Sequence, residues 1–186
     1  MSQIRTTEAL ENSIERVTKS QKSITTDHAY IHEGALFVAL TKNTLTTGSV
    51  RYISIVTPSN GKYIHYRNEK IQCSADKVSI ELFEDSTVTA DTGDVITPVN
   101  HFRISPTAST VLVRDGVTVT DEGLLINQTF IGGGTAQGQA RSGDETSETN
   151  ERVLKRNATY VVKITNGSTA NNIIQCNPLW YEEDDA

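Results

Sequence analysis

The sequence predicts an all-β fold, an antiparallel β-sandwich or jelly roll preceded by an N-terminal helical arm. Three observations predict it. Along most of residues 28–181 apolar and polar residues alternate with a period of two, the mark of strands with one buried and one wet face. Turn residues interrupt the pattern about every ten residues, a spacing that suits sandwiches and not βαβ units. Ser, Thr and Asn replace aliphatic residues, so 36% of the 186 residues are hydrophobic, a mix that favours strands and polar turns over helix.

The elements follow in order. Within residues 7–22, Leu10, Ile14 and Val17 fall at i, i+4 and i+7, a narrow apolar stripe on one helix face. Glu8 and Glu11 near the start and Lys19 and Lys22 near the end complement the helix dipole. Thr6 or Thr7 is placed to cap it. So thin a stripe cannot anchor a helix in a large core. Residues 1–27 are therefore expected to form an arm that packs on a neighbour or on the outside of the sandwich. Strands are expected at 34–42, 50–57, 62–73, 77–84, 110–119, 123–131, 152–155, 159–166 and 172–181. Val78-Ser79-Ile80-Glu81-Leu82 shows the alternation cleanly. Ser59-Asn60-Gly61, Arg114-Asp115-Gly116 and Thr165-Asn166-Gly167 carry hairpin-turn chemistry. Residues 85–109, with Pro98 and Pro106, read as a connection between sheets with room for a short edge strand. Residues 132–150 hold no aromatic and no aliphatic residue larger than Ala. They are expected to form a flexible loop, either solvated or ordered by a partner. Residues 182–186 form an acidic tail, and residues 28–181 a single sandwich domain.

Charge and composition narrow the function. The net charge of −6 divides into +1 over residues 1–26, −4 over 182–185 and −3 between them. No basic face suited to phosphate emerges, so no nucleic-acid partner is expected. No apolar run reaches the ~18 residues of a membrane span, and Met1-Ser2-Gln3-Ile4-Arg5 opens no secretory signal. Synthesis in a reducing cytoplasm is the expectation. There Cys73 and Cys176 read as free thiols, and the sequons at Asn127, Asn157 and Asn166 carry little meaning.

Catalytic chemistry is hard to place. There is no Gly-X-Ser-X-Gly and no phosphate loop after Gly132-Gly133-Gly134. His28 and His32 are four apart, a weak metal signal at what reads as the mouth of the first strand. Glu81, Glu84 and Asp85 cluster near a strand end, where a glycosidase pair or Ca²⁺ site competes with a plain solvated end. No cofactor and no enzymatic activity are expected.

Several segments carry a family resemblance. They are His32-Glu33-Gly34-Ala35-Leu36-Phe37, the turn at Gly61 followed by His65, and Ile80-Glu81-Leu82-Phe83-Glu84-Asp85. Thr92-Gly93, Thr97-Pro98-Val99-Asn100-His101-Phe102-Arg103, and Leu154-Lys155-Arg156-Asn157-Ala158-Thr159-Tyr160 with Thr165-Asn166 complete the set. In order and spacing these resemble the capsid decoration (cement, head-stabilising) proteins of tailed bacteriophages, over about residues 30–181. The resemblance implies a jelly roll bound to the outer capsid surface of a virion, without enzymatic activity, bridging subunits of the major capsid protein. It also implies self-association as a dimer or trimer on a capsid symmetry axis. Leu10, Ile14 and Val17, with one sandwich edge, are then the expected capsid or inter-protomer contacts. The alternative is a glycan- or host-binding module of a tail, fibre or head, with Tyr63, Tyr66, Trp180 and Tyr181 as its exposed aromatics.

Overall fold

A computed structural model describes residues 26–59, 61–75, 77–104, 107–132 and 151–185. The expected helix at 7–22, with Leu10, Ile14 and Val17, and the loop from 133 onward lie outside the described residues.

The described chain opens on a helix, α1 (Thr26–Glu33), and continues through β1 (Leu36–Val38), β2 (Lys42–Leu45), β3 (Val50–Val56), β4 (Lys62–Cys73) and β5 (Val78–Glu84). Five short strands follow: β6 (Thr87–Val88), β7 (Asp94–Ile96), β8 (Val99–Asn100), β9 (Leu112–Asp115) and β10 (Val119–Asp121). The chain ends with β11 (Leu124–Ile131), β12 (Arg152–Leu154), β13 (Thr159–Asn166) and β14 (Asn172–Asp184). One sheet has the order β12-β4-β14-β1-β8, with β2 also paired to β14. The other has the order β11-β5-β13-β3-β9-β7, and β6 and β10 form a separate ribbon. The pairings are antiparallel, as the alternation predicts.

Both sheets feed one core. Val78, Ile80 and Leu82 of β5 and Tyr160, Val162 and Ile164 of β13 meet Ile64, Ile71, Ile174 and Trp180 of the first sheet. Each fully buried aliphatic side chain contributes about 1.5–3 kcal/mol, so these rows set which face of each strand points inward. Trp180 is wholly buried, with its ring 6.2 Å from that of Phe37.

Four expectations are corrected. The expected first strand at 34–42 is preceded by a helix that reaches Glu33, and it splits into β1 and β2. Gly34, at φ +71, takes the left-handed conformation that ends α1. Its N–H bonds the Ile31 carbonyl and that of Ala35 bonds the Tyr30 carbonyl, the two bonds of a Schellman ending. The weak helix formers of Thr26–Glu33 hid this helix from propensity. The split between β1 and β2 lies level with Pro178 of β14. Pro178 has no N–H to give, and the β14–β4 register slips between Pro178 and Trp180.

The three turn signals do not make hairpins. The chain passes from β3 in one sheet to β4 in the other between Val56 and Lys62, and Thr165–Gly167 makes the same crossing between β13 and β14. Gly116 leads from β9 to the ribbon strand β10 and divides the expected strand at 110–119. Among the described residues, no two strands consecutive in the chain are neighbours in a sheet. A tight turn reverses the chain, but burial selects the partner. Asn166 shows the difference. It is fully buried, and its amide nitrogen lies 2.9–3.1 Å from the carbonyls of Leu45, Thr46 and Ala170.

The connection at 85–109 contains β6, β7 and β8, and it passes from the second sheet at β7 to the first at β8. This agrees with a sheet-to-sheet connection but holds more strand than expected.

The acidic end is solvated only in part: Glu183, Asp184 and Asp185 are exposed, but Glu182 is buried. Residues 182–184 belong to β14, and Glu182 is 5% exposed. Its carboxylate accepts hydrogen bonds from Ser109 Oγ at 2.5 Å, Thr110 N at 3.0 Å, Thr110 Oγ1 at 2.8 Å and Trp180 Nε1 at 3.2 Å. Cys73 and Cys176 are free thiols on adjacent strands, diagonal across the pairs Ile174–Cys73 and Cys176–Ile71.

Removing the Glu182 carboxylate strands the buried Trp180 Nε1–H and unties the partly buried Ser109 and Thr110 donors. Glu182→Ala is expected to lower stability by about 2–4 kcal/mol, against less than about 1 kcal/mol for the half-exposed Glu183→Ala. Urea denaturation of the two variants checks this, and equal midpoints would count against a structural Glu182.

Candidate functional site

The most organised outward-facing cluster joins α1 to the first sheet. Tyr30 and Ile31 of α1, with Val38, pack against Leu36, Leu179 and Tyr181, a second apolar cluster apart from the main core. Sequence neighbours on β14 thus serve different faces: Trp180 points into the core and Tyr181 out toward the helix. The Tyr181 ring is stacked on both sides. Tyr30 lies 3.7 Å away at 15°, and His65 of β4 lies 4.3 Å away at 11°. β14 and β4 set the second contact directly, because Tyr181 and His65 are cross-strand partners.

Charges close the cluster. Tyr181 donates its hydroxyl proton to Glu151 at 2.6 Å. Glu151 also lies 2.8 Å from His65 Nδ1 and accepts from Arg67 at 3.2 Å. The second ring nitrogen of His65 lies 3.1 Å from the Glu183 carboxylate. Burial pushes the Glu151 carboxyl up, but hydrogen bonds from Tyr181 and His65 and the charges of His65 and Arg67 outweigh it, so it ends below its usual value. Burial and the Glu151 carboxylate push the Tyr181 hydroxyl well up. The cluster is saturated within itself. It fixes α1, and with it the point where residues 1–25 join the body.

The residues singled out from sequence are dispersed. Tyr66 and Trp180 are fully buried and Tyr181 is 3% exposed beneath α1. Tyr63, at 39% exposed, carries the Arg156 guanidinium 4.2 Å above its ring. The four aromatics therefore make no shared exposed platform. Glu81 lies 3.8 Å from Lys163, whereas Glu84 and Asp85 share Lys155 at 2.7 Å each. Among the described residues no three His, Cys, Asp or Glu side chains converge on a metal position. His28 and His32 stand on α1 and not at a strand mouth, with their Nε2 atoms 2.9 Å apart.

Tyr30 and Glu151 escaped sequence reasoning. The one local signal was Gly34, a helix stop that reads equally as a strand start. Glu151 carries no local signal, because its partners lie 30 or more positions away along the chain.

Tyr30→Ala removes one side of the stack. The amides of α1 are then expected to exchange several-fold faster while those of β5 and β13 keep their protection, as hydrogen exchange would show. Unchanged α1 exchange would remove Tyr30 from the anchor. The depressed Glu151 carboxyl stabilises the fold above the ordinary carboxylate range, and this contribution fades as pH falls through its folded pKa. Wild type and Glu151→Gln should therefore differ in urea midpoint at neutral pH and converge as the pH falls below the ordinary carboxylate range. A constant gap would reject the linkage.

No protein-family model, no curated protein and no solved structure matches this chain.

Proposed function

We propose that this chain is a virion structural protein that decorates a mature tailed-phage capsid and cements it by bridging major-capsid-protein subunits. The observation that carries the reading is the fixed arm root. Tyr30, Tyr181, His65 and Glu151 hold α1 on the outer face of a two-sheet body. A segment that reaches to a neighbour needs such a fixed point.

The strand order supports a jelly roll as the finer fold. β1 with β2, then β14, β4 and β12, stand in one sheet, and β3, β13, β5 and β11 in the other. The chain crosses between layers at nearly every step, and its first and last strands are neighbours, the pattern of two interleaved Greek keys. β6 to β10 are then an insertion between two strands of one sheet.

The second proposed contact is the sheet edge at β11. It is the terminal strand of its sheet among the described residues. Leu124, Leu125 and Phe130 on it are 62%, 44% and 65% exposed. An apolar unpaired edge is a surface for another chain. Self-association as a dimer or trimer on a symmetry axis, and location on the outer capsid surface, belong to the same proposal.

Co-sedimentation with expanded phage shells that lack decoration, with bound copies counted per shell, tests it. Saturation at a fixed, symmetry-related number is expected, with reduced occupancy when residues 1–25 are deleted. A folded protein that does not bind shells would reject the reading and favour the glycan-binding alternative. Full occupancy by the truncated chain would reject the arm's role.

A further inference from the structure

We propose that His28 and His32 form a two-imidazole chelate for a divalent transition-metal ion of the Cu²⁺ or Ni²⁺ type. Both side chains are exposed, four residues apart on α1. One helical turn brings such residues onto the same face, with Cβ atoms about 5–6 Å apart. Their Nε2 atoms are 2.9 Å apart, with ring centroids at 4.6 Å and planes at 50°.

The spacing lets both nitrogens reach one ion. Two nitrogens bound to one ion at about 2.05 Å lie about 2.9 Å apart at a right angle and about 3.3 Å apart at the tetrahedral angle. The observed distance shows that both Nε2 atoms can reach one ion, and imidazole donors together with the affinity order that peaks at Cu²⁺ favour Cu²⁺ and Ni²⁺.

Without metal the same distance is an N–H···N hydrogen bond, one ring donating its Nε2 proton and the other accepting it. The ion requires both Nε2 lone pairs. The donor ring therefore carries its proton on Nδ1, and the two N–metal bonds replace two metal–water bonds of the hydrated ion, with no change of oxidation state. The helix is already fixed at its Gly34 end and by Tyr30 and Ile31 on the sheet. The pair is thus held in place before the ion arrives. Water fills the remaining coordination positions, because no third protein ligand converges there among the described residues. The inference stands apart from the capsid reading.

The test uses the full-length chain without an affinity tag. Calorimetric titration with NiCl₂ and with CuCl₂ is expected to show one ion per chain, and the protein should be retained on Ni²⁺-iminodiacetate resin and released by imidazole. His28→Asn and His32→Asn should each abolish both signals, whereas His101→Asn should leave them intact. Retention and stoichiometry unchanged in both single variants would overturn the proposal, as would no uptake by wild type. An independent readout on the unaltered chain is NMR with trace Cu²⁺. The His28 and His32 ring signals should broaden first, and earlier broadening at His65 or His101 would overturn the assignment.

Discussion

The pairing of β14 with β4 is the constraint on which the rest of the structure depends. β14 runs 13 residues from Asn172 to Asp184 and is the strand on which three others meet: β4 along its length, β1 near its end and β2 near its start. Its side chains reach every part of the body. Ile174, Cys176 and Trp180 enter the core, Tyr181 stacks beneath α1, and Glu182 binds the Ser109–Thr110 segment. Moving the register by one residue would turn Trp180 outward and Tyr181 and Glu182 to the wrong layers, so packing fixes it strongly. The slip at Pro178 is accommodated within this constraint. On β4 the inward positions change from Ile64 and Tyr66 to Glu69 and Ile71 at the same level. Tyr66 donates its hydroxyl to the buried Glu69 carboxylate, whose pKa burial raises.

What could be read from the sequence was local, and what could not was long-range. β5 and β13 were legible because Val78, Ile80, Leu82 and Tyr160, Val162, Ile164 alternate without interruption, and alternation reports burial directly. The turns were legible as chain reversals only. Asn-Gly and Asp-Gly favour positive φ at the glycine, a property of one residue. Pairing of β3 with β13, more than a hundred positions later, is decided by which apolar rows fit together, and no short window holds that information. α1 failed for the opposite reason. Its eight residues have little helix preference of their own, and the stability comes from Tyr30 and Ile31 meeting β14 residues near the other end of the chain.

The candidate site divides in the same way. His65 entered through the family resemblance and Tyr181 as an exposed aromatic of the glycan-binding alternative, but nothing local marks them as cross-strand partners. The four terminal acids looked like one solvated block. Strand alternation separates them: Glu182 turns in toward Trp180 Nε1, Glu183 turns out toward His65, and Asp184 meets Lys62 at the surface. Composition reports charge but not facing, and facing decides whether a carboxylate is structural or merely solubilising.

The strength of the proposed arm contact can be bounded. Burying Leu10, Ile14 and Val17 on a neighbour would yield about 5–8 kcal/mol at best. Bringing two bodies together costs an estimated 4–15 kcal/mol in lost freedom. One arm acting alone therefore lies near break-even. A decorating protein can still work in this range if two conditions hold. The arm must leave from a fixed point, so that less freedom is lost when it docks, and the Tyr30–Tyr181–His65–Glu151 cluster fixes α1 at its root. Each chain must also hold a second contact, so that one attachment raises the effective concentration of the other; the exposed edge of β11 is placed to supply it. On the proposed reading, a marginal arm would bind where a shell presents both contacts at the right separation and not where a loose subunit presents one, so selectivity for the closed lattice would follow from the weakness of each contact taken alone.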